Sequence, residues 1–233
     1  ALSSAASDVY KRQLVKICRE CCPDLEYHAS TQMTIHSESG VKMAKNLGFS
    51  RAVLSRELPE HTIKDLTNLG IETEVFVHGA LCMSVSGQCY MSALIGSRSA
   101  NRGLCAQACR LPAQGDKITK GQERYALSLK DMSYVDKLQR LEKDGVSSLK
   151  IEGRMKRPEY VAAAVNCCKN SLENKPYDLK ALEAVFSRGG FTDGYYNGRL
   201  GREMFGTRQK EDVSATARIL PELHELYRRC EKR

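Results

Sequence analysis

Short apolar stretches alternate with amphipathic stretches along most of the chain. The apolar stretches are bounded by turn residues, a pattern typical of strands. The amphipathic stretches carry apolar residues near helical spacing, and several begin at proline or end at glycine, as helices do. The pattern predicts strands over residues 25–31, 51–58, 71–79, 124–131 and 146–153, and helices over residues 37–49, 58–70, 132–145 and 157–174.

The alternation of strand and helix with short connections predicts a parallel sheet with helical crossovers. About five such units are visible, which suits part of a closed eight-stranded barrel. We therefore predict an α/β fold, the C-terminal part of a TIM-like (β/α) barrel that is truncated at both ends. A doubly wound sheet is the alternative. No G-x-G-x-x-G follows a strand, so the sequence does not support a dinucleotide site.

Composition sets broad limits on the kind of protein. The chain has 233 residues, 42% of them hydrophobic, which is enough for a real core. A net charge of +8 permits an anionic partner, nucleic acid included. No run of 18 apolar residues is present, so we expect no membrane span.

Ten cysteines are the most informative feature of the composition. A disulfide framework normally belongs to a much shorter secreted chain, so a reducing, cytoplasmic location fits better. Four of them, Cys82, Cys89, Cys105 and Cys109, lie in a long glycine-containing segment after the strand at 71–79. In a β/α barrel the carboxyl ends of the strands carry the chemistry, and long irregular loops are usually functional. Four thiolates here favour zinc or an iron–sulfur cluster, although C-x6-C-x15-C-x3-C is neither a zinc ribbon nor a ferredoxin motif.

The stretch EVFVHGALCMSVSGQCYMS, from Glu74 to Ser92, resembles the signature of the peptidase U32 family. That pattern is E-x-F-x-x-G-small-aliphatic-C-x4-G-x-C-x-aliphatic-S, and ten positions of this chain fit it. HASTQMTIHS (residues 28–37), GSRSANRGLCAQACRLP (96–112) and LKIEGRMKRPEYVA (149–162) resemble other blocks of the family. The resemblance covers about residues 14 to 205.

The resemblance implies a division of the chain. Residues 14–178 would form the partial barrel of the U32 type. Residues 179–233, which include FSRGGFTDGYYNGR, would begin a C-terminal collagenase-like region. Residues 1–13 are expected to be a non-native or unstructured leader, because DVYKRQ (residues 8–13) is similar to a translated sequencing adapter.

The functions that the resemblance implies are of two kinds. Members of the family act in hydroxylation of tRNA or ribosomal RNA, with prephenate implicated as a co-substrate, and others carry a collagenase label that implies a protein substrate. Several members bind a [4Fe-4S] cluster through cysteines of the signature. Carried over to this chain, the ligands would be Cys82, Cys89, Cys105 and Cys109, with zinc as the alternative metal.

The basic block at residues 150–157 follows the strand at 146–153. Within it, Arg154, Lys156 and Arg157 are candidates for binding RNA phosphates or the carboxylates of prephenate, because guanidinium groups pair with both. Glu152 is a candidate for proton transfer. The structural alternative is an ion pair between Glu152 and Arg154. Two arginines of the cysteine segment, Arg98 and Arg102, are candidates for the same substrate surface.

Peptide cleavage has little support from the residues themselves. The chain has no H-E-x-x-H for a metallopeptidase and no G-x-S-x-G for a serine hydrolase. Cys82 with His78 could serve a cysteine peptidase only if Cys82 were not a metal ligand. Of the functions that the resemblance implies, we therefore favour an iron–sulfur enzyme of RNA hydroxylation. A U32 peptidase is the first alternative, and a non-catalytic, metal-stapled RNA-binding scaffold is the second.

Overall fold

The computed structural model describes residues 11–113, 125–153 and 156–231. The helices are α1 Lys11–Cys21, α2 Glu38–Asn46, α3 Glu60–Thr67, α4 Met91–Gly96, α5 Leu138–Lys143, α6 Pro158–Leu172, α7 Leu179–Val185 and α8 Lys210–Glu231. The strands are β1 His28–Ala29, β2 Arg51–Val53, β3 Glu72–Ala80, β4 Asp131–Ser133, β5 Ser148–Ile151 and β6 Phe191–Thr192.

These strands form one sheet in which parallel pairs dominate. The pairs β1–β2, β2–β3, β3–β5 and β4–β6 are parallel, and β3–β4 is antiparallel. The predicted α/β fold is therefore confirmed as a mixed α/β architecture with a parallel-rich sheet. The antiparallel pair departs from the uniform strand–helix alternation that the sequence predicts.

The fourth strand lies later in the chain than the sequence predicts. The prediction ended a strand at Asp131 and began a helix at Met132, whereas β4 spans Asp131–Ser133 and α5 begins at Leu138. Met132 is fully buried and pairs with Gly79 of β3. Its apolar side chain therefore belongs to the strand, and a short apolar run does not by itself distinguish strand from helix.

The long central strand β3 organises the core. Residues 73–79 of this strand are all buried, so both of its faces are covered, as expected for a central strand of a parallel sheet. Helix α2 lies beside β2, and α3 lies beside β3. Helices α5 and α6 add further buried side chains, among them Leu138, Leu141 and Ala164.

Residues beyond 178 take part in the same sheet and core. Strand β6 pairs with β4, and the Gly206 amide donates to the Ser128 carbonyl at 2.9 Å. A Cβ atom on Gly206 would lie 2.2 Å from the carbonyl oxygen of Arg188, so this close approach requires glycine. The C-terminal segment is thereby fixed against the start of β4.

The two ends of the described chain are helical. Helix α1 begins at Lys11, so residues 11–13 of the predicted leader lie in this helix, and residues 1–10 lie outside the described residues. Helix α8 packs against α6 and α7 and contains Pro221. Among the described helices, α8 included, none is both long and apolar enough to cross a membrane.

Candidate functional site

One edge of the sheet brings together several charged side chains and Cys82. Strands β2, β3 and β5 are parallel, so their carboxyl ends lie at this edge. Arg56, Cys82 and Glu152 follow these three strands directly or within three residues. Because β4 is antiparallel to β3, Asp131 at its amino end pairs with Ala80 and reaches the same edge.

The turn after β3 is held by a network of hydrogen bonds from neighbouring loops. The carboxylate of Glu57 accepts from the Ser86 amide at 3.0 Å and from its hydroxyl at 2.9 Å. The hydroxyl of Thr34 donates to the Ser86 carbonyl at 2.9 Å and accepts from Gln88 at 2.9 Å. Gly87 has φ +79°, and a Cβ atom there would lie 2.9 Å from the Gln32 carbonyl. The glycine between the two cysteines is therefore required by the packing of this turn.

Electrostatic interactions link Cys82 at this edge with two other predicted ligands, Cys105 and Cys109. Cys105 and Cys109 are close enough to Cys82 that their thiolates raise its pKa. Burial raises that pKa most, although part of the Cys82 side chain faces solvent, and Arg56 opposes the increase. Cys89 lies at the end of the anchored turn. All four thiols are free, so the sulfur atoms remain available as ligands.

The donor set suits a sulfur-ligated metal, since four thiols on neighbouring loops are what zinc and iron–sulfur clusters use. Within the described ranges, no three His, Cys, Asp or Glu side chains already surround a common point as a metal ion requires. The Cys105 sulfur accepts from the Gln107 amide at 3.3 Å and from the Ser92 hydroxyl at 4.0 Å. Such donors orient the sulfur atom, as the hydrogen bonds around metal-ligating side chains do.

Glu152 forms an ion pair, and its partner is Arg56. Arg56 Nη2 donates to Glu152 Oε2 at 2.7 Å, and the guanidinium lies 4.0 Å from the centre of the Phe76 ring. The predicted alternative partner, Arg154, lies outside the described residues. The Glu152 side chain is 41% exposed, so its carboxylate faces solvent at the sheet edge while Arg56 holds it in place.

A second charged group lies around Asp131. The carboxylate accepts from Arg188 Nη1, and its second oxygen, Oδ2, is buried without a hydrogen-bond partner. Burial raises the pKa of Asp131, whereas Arg188, Lys156 and Arg110 act in the opposite direction. Arg110 also donates to the carbonyls of Leu81 and Leu129, which connects the cysteine segment to this group.

Lys156 lies in this second group. Its ammonium is 3.0 Å from the centre of the Phe186 ring and 5.6 Å from that of Tyr160. Burial, followed by the positive charge of Arg188, lowers the pKa of Lys156 to about 8. Burial, followed by the charge of Lys156, lowers the pKa of His78 to about 4, so this buried imidazole is neutral at pH 7.

Three other predicted anion-binding residues lie on the surface, whereas Arg154 lies outside the described residues. Arg98 follows α4, Arg102 ends a 3-10 turn at Ala100–Arg102, and Arg157 precedes α6 as its N-cap residue. All three are exposed. The structure therefore separates the predicted set into surface arginines and one partly enclosed lysine, Lys156.

Sequence reasoning missed five charged residues of the edge. They are Arg56, Arg110, Asp131, Arg188 and Arg208. Two of them carried a usable signal: Asp131 ends an apolar stretch, and Arg188 stands in the S-R-G-G turn at residues 187–190. Polar residues where an apolar stretch ends are candidates for the functional edge of an α/β sheet.

Comparison with known proteins identifies the family. The family model described as Peptidase family U32 matches residues 5–205. The chain belongs to this family. Its membership confirms the resemblance seen in the cysteine segment and in the blocks around it.

Curated U32 relatives carry two kinds of name. The chain is 34% identical over 170 residues to tRNA hydroxylation protein P1 of Bacillus subtilis, covering 69% of this chain and 40% of the relative. It is 44% identical over 145 residues to the 23S rRNA 5-hydroxycytidine C2501 synthase of Escherichia coli, covering 60% and 22%. It is 36% identical over 219 residues to a collagenase of Porphyromonas gingivalis, covering 80% and 52%. The chain thus spans about half or less of the length of these relatives.

Proposed function

We propose that this U32 protein acts in the hydroxylation of tRNA or rRNA as an iron–sulfur enzyme, with prephenate as a co-substrate. The observation that carries the proposal is that Cys82, Arg56, Glu152 and Asp131 follow or begin neighbouring strands at one edge of the sheet, with Cys105 and Cys109 within electrostatic range of Cys82. Thiols and charged groups at the carboxyl ends of parallel strands are the usual arrangement of an α/β active site. Relatives named for hydroxylation of tRNA and of 23S rRNA support the reaction class.

The proposed cluster ligands are Cys82, Cys89, Cys105 and Cys109. A [4Fe-4S] cluster bound there would supply electron transfer or Lewis-acid chemistry. The anchored turn at residues 82–89 fixes two of the ligands relative to β1 and β2, because Glu57 and Thr34 hold Ser86 between them. Burial raises the pKa of Cys82, and the positive charge of Arg56 opposes that increase.

The other residues of the edge have roles in binding and proton transfer. Glu152, oriented by Arg56, is placed to accept or donate a proton at its exposed carboxylate. Lys156 is placed to neutralise an anionic group of the co-substrate. The exposed arginines Arg98, Arg102 and Arg157, together with Arg154, are proposed to contact RNA phosphates.

The proposal includes the finer fold. A sheet built mainly of parallel pairs, with the candidate site at their carboxyl ends, is what part of a TIM-like barrel would present. In that fold the missing strands would come from the rest of a longer chain.

Anaerobic purification of the longest natural chain tests the cluster. We expect bound iron and broad absorption near about 400 nm, as thiolate-ligated clusters give. Replacing Cys82, Cys89, Cys105 or Cys109 by Ser should remove the iron. Cys167→Ser is the control, because Cys167 is buried and its thiol bonds to the Asp178 carbonyl, a contact that serine retains. Stoichiometric zinc without iron in anaerobic material would reject the cluster.

Complementation tests the reaction. The protein is expressed in a bacterial strain that lacks its own U32 hydroxylation proteins, and hydroxylated nucleosides of tRNA and rRNA are measured by mass spectrometry. Restored hydroxylation that depends on the four cysteines supports the proposal. Iron binding with RNA binding but without hydroxylation would instead favour the scaffold alternative.

Peptide cleavage remains the second candidate, because the collagenase relative covers more of this chain than either hydroxylation relative described above. Cleavage of gelatin by purified protein, unaffected by Cys105→Ser and Cys109→Ser, would favour it. If a protein preparation that restores hydroxylation does not cleave gelatin, the peptidase function is rejected.

A further inference from the structure

Three cations surround one aromatic ring at the sheet edge. The ammonium of Lys156 lies 3.0 Å from the centre of the Phe186 ring, and the guanidinium carbons of Arg188 and Arg208 lie 5.1 Å and 5.0 Å from it. The face of an aromatic ring attracts cations, so Phe186 offsets part of their mutual repulsion. A single ring does not neutralise three charges, so the group retains a positive field.

The carboxylates near the ring do not balance these cations. Asp131 accepts from Arg188, whereas Glu152 is paired with Arg56. The Arg208 guanidinium donates to the neutral hydroxyl of Thr216 at 2.5 Å. In the part of the chain that the structure describes, Lys156 and Arg208 have no carboxylate partner. The group therefore has an excess of two positive charges, which a bound anion would neutralise.

The cations are also partly withdrawn from solvent. The Arg188 side chain is only 12% exposed, and Lys156 and Arg208 are half-buried. Gathering like charges away from water is costly, and the lowered pKa of Lys156 is a consequence of that cost. RNA phosphates are more accessible to exposed side chains such as Arg98 and Arg157. The enclosed position therefore favours a small anion over a nucleic-acid backbone.

An unpartnered acceptor adjoins the cations. Asp131 is 3% exposed, and its Oδ2 atom has no donor among the described residues. Buried carboxylate oxygens normally accept a hydrogen bond from protein, water or ligand. A ligand that carries a hydroxyl group beside its anionic group would satisfy this oxygen and the cations together.

We propose that Lys156, Arg188 and Arg208, arranged around Phe186 beside Asp131, form a binding site for a small molecule with a carboxylate or phosphate group. The C-terminal segment at residues 186–208 supplies two of the three cations, Arg188 and Arg208, so it contributes directly to ligand binding. This inference rests on the proposed function and adds a binding site for its small co-substrate. Anion binding can nevertheless be measured without any hydroxylation.

Isothermal titration of the full chain with malonate and with inorganic phosphate, at constant ionic strength, tests the site. We expect saturable binding, and the tighter of the two probes identifies the anionic group. Lys156→Met and Arg208→Gln should each weaken binding about tenfold, as loss of one charge-assisted hydrogen bond does. Arg199→Gln is the matched control, because it removes the same charge from an exposed position of the same segment and should change binding less than about twofold.

Several outcomes would overturn the site. Absence of binding by wild type, or equal binding by Lys156→Met, rejects it. Displacement of malonate by a short RNA at equal charge assigns the cations to RNA and rejects the small-molecule site. Lys156→Arg, which keeps the charge, should retain binding, and a melting curve for each variant separates lost binding from lost folding.

The fates of the two proposals can be told apart. Malonate or phosphate binding without hydroxylation in the complementation assay keeps the site and rejects the proposed function. Hydroxylation that persists unchanged in Lys156→Met and in Arg208→Gln, with malonate and phosphate binding absent from wild type, keeps the proposed function and rejects the site.

Discussion

Arg56 and Glu152 balance each other at one side of the sheet edge, whereas Lys156, Arg188 and Arg208 outnumber Asp131 at the other. Both groups use an aromatic ring, Phe76 in the first and Phe186 in the second. The first group contains one cation and one carboxylate, as is typical of an ion pair that stabilises the fold or positions a side chain. The second leaves positive charge uncompensated, which is how a binding site for an anion is built.

The largest expected effect comes from removing Asp131, the acid of the unbalanced group that pairs with Arg188. Asp131→Ala leaves the Arg188 guanidinium nearly buried without its partner and increases the repulsion among the cations. Breaking such a buried pair costs about 3–5 kcal/mol of unfolding free energy. The matched change in the balanced group, Glu152→Ala, should cost about 1 kcal/mol, because Glu152 is 41% exposed.

Urea denaturation at pH 7 measures both variants. A loss at Asp131→Ala no larger than the loss at Glu152→Ala would contradict the contrast between the two groups. Glu152→Gln separates the structural role of Glu152 from a catalytic one, because the amide oxygen still accepts a hydrogen bond from Arg56. If Glu152 transfers a proton, Glu152→Gln should remain stable and yet lose activity.

A smaller effect should appear at acid pH through His78, whose pKa is lowered to about 4 by burial and by Lys156. The unfolded chain binds a proton at His78 near pH 6.5, and the folded protein does so only near pH 4. Stability is therefore full above pH 6.5 and is lost as the pH falls through this window, by up to about 3 kcal/mol for this group. His78→Phe keeps the ring contacts with Tyr160 and Phe191 and should lose less stability between pH 6.5 and pH 4.

Denaturation midpoints at pH 7, 5.5 and 4.5 compare wild type with His78→Phe. Parallel losses in the two proteins would show that carboxylates elsewhere, and not His78, control the acid transition. Because the charge of Lys156 contributes to the lowered pKa of His78, Lys156→Met should narrow the pH range over which His78 destabilises the fold.

Lys156 should affect stability in the same direction as His78, but over a higher pH range. Its pKa is lowered to about 8 in the folded protein and is near 10.5 when unfolded, so the charged form destabilises the fold. That cost is fully present below pH 8 and disappears as the pH rises towards 10.5. Lys156→Met should therefore stabilise the protein at pH 7 by about 1 kcal/mol and should make little difference near pH 10. Thermal melting at both pH values checks this, and destabilisation at pH 7 would show that the ammonium has an acceptor.

The sequence predicts the centre of the sheet well, for a physical reason. Strand β3 is long, buried on both faces and bounded by turn residues, so its pattern is unambiguous. The cysteine segment is also recognisable, because thiol spacing and Gly87 are local features of the chain. Local pattern was insufficient at Met132, where a short apolar run was assigned to a helix and belongs to β4.

The unbalanced charge group could not be predicted from local pattern. Asp131 and Arg188 lie 57 residues apart and meet because β4 pairs with β6, a strand of two residues that is too short to show a period. Likewise, the Arg56–Glu152 pair spans 96 residues. Such contacts depend on strand order and on the antiparallel β3–β4 pair, which the uniform strand–helix alternation did not indicate.

The smallest stability effects, and the sharpest functional contrast, are expected at the surface arginines. Arg98→Gln and Arg157→Gln remove exposed charges and should change the unfolding free energy by less than about 0.5 kcal/mol. If these side chains contact RNA phosphates, each change should weaken binding of unrelated RNAs to a similar degree and should lower the salt slope by about one. Lys156→Met should leave that slope unchanged, because its proposed ligand is a small anion.

Filter binding of a tRNA transcript between low and physiological salt measures the slopes. A reduced slope for Lys156→Met with unchanged slopes for the two surface variants would place RNA at the cation group and would reverse the assignment of the two surfaces.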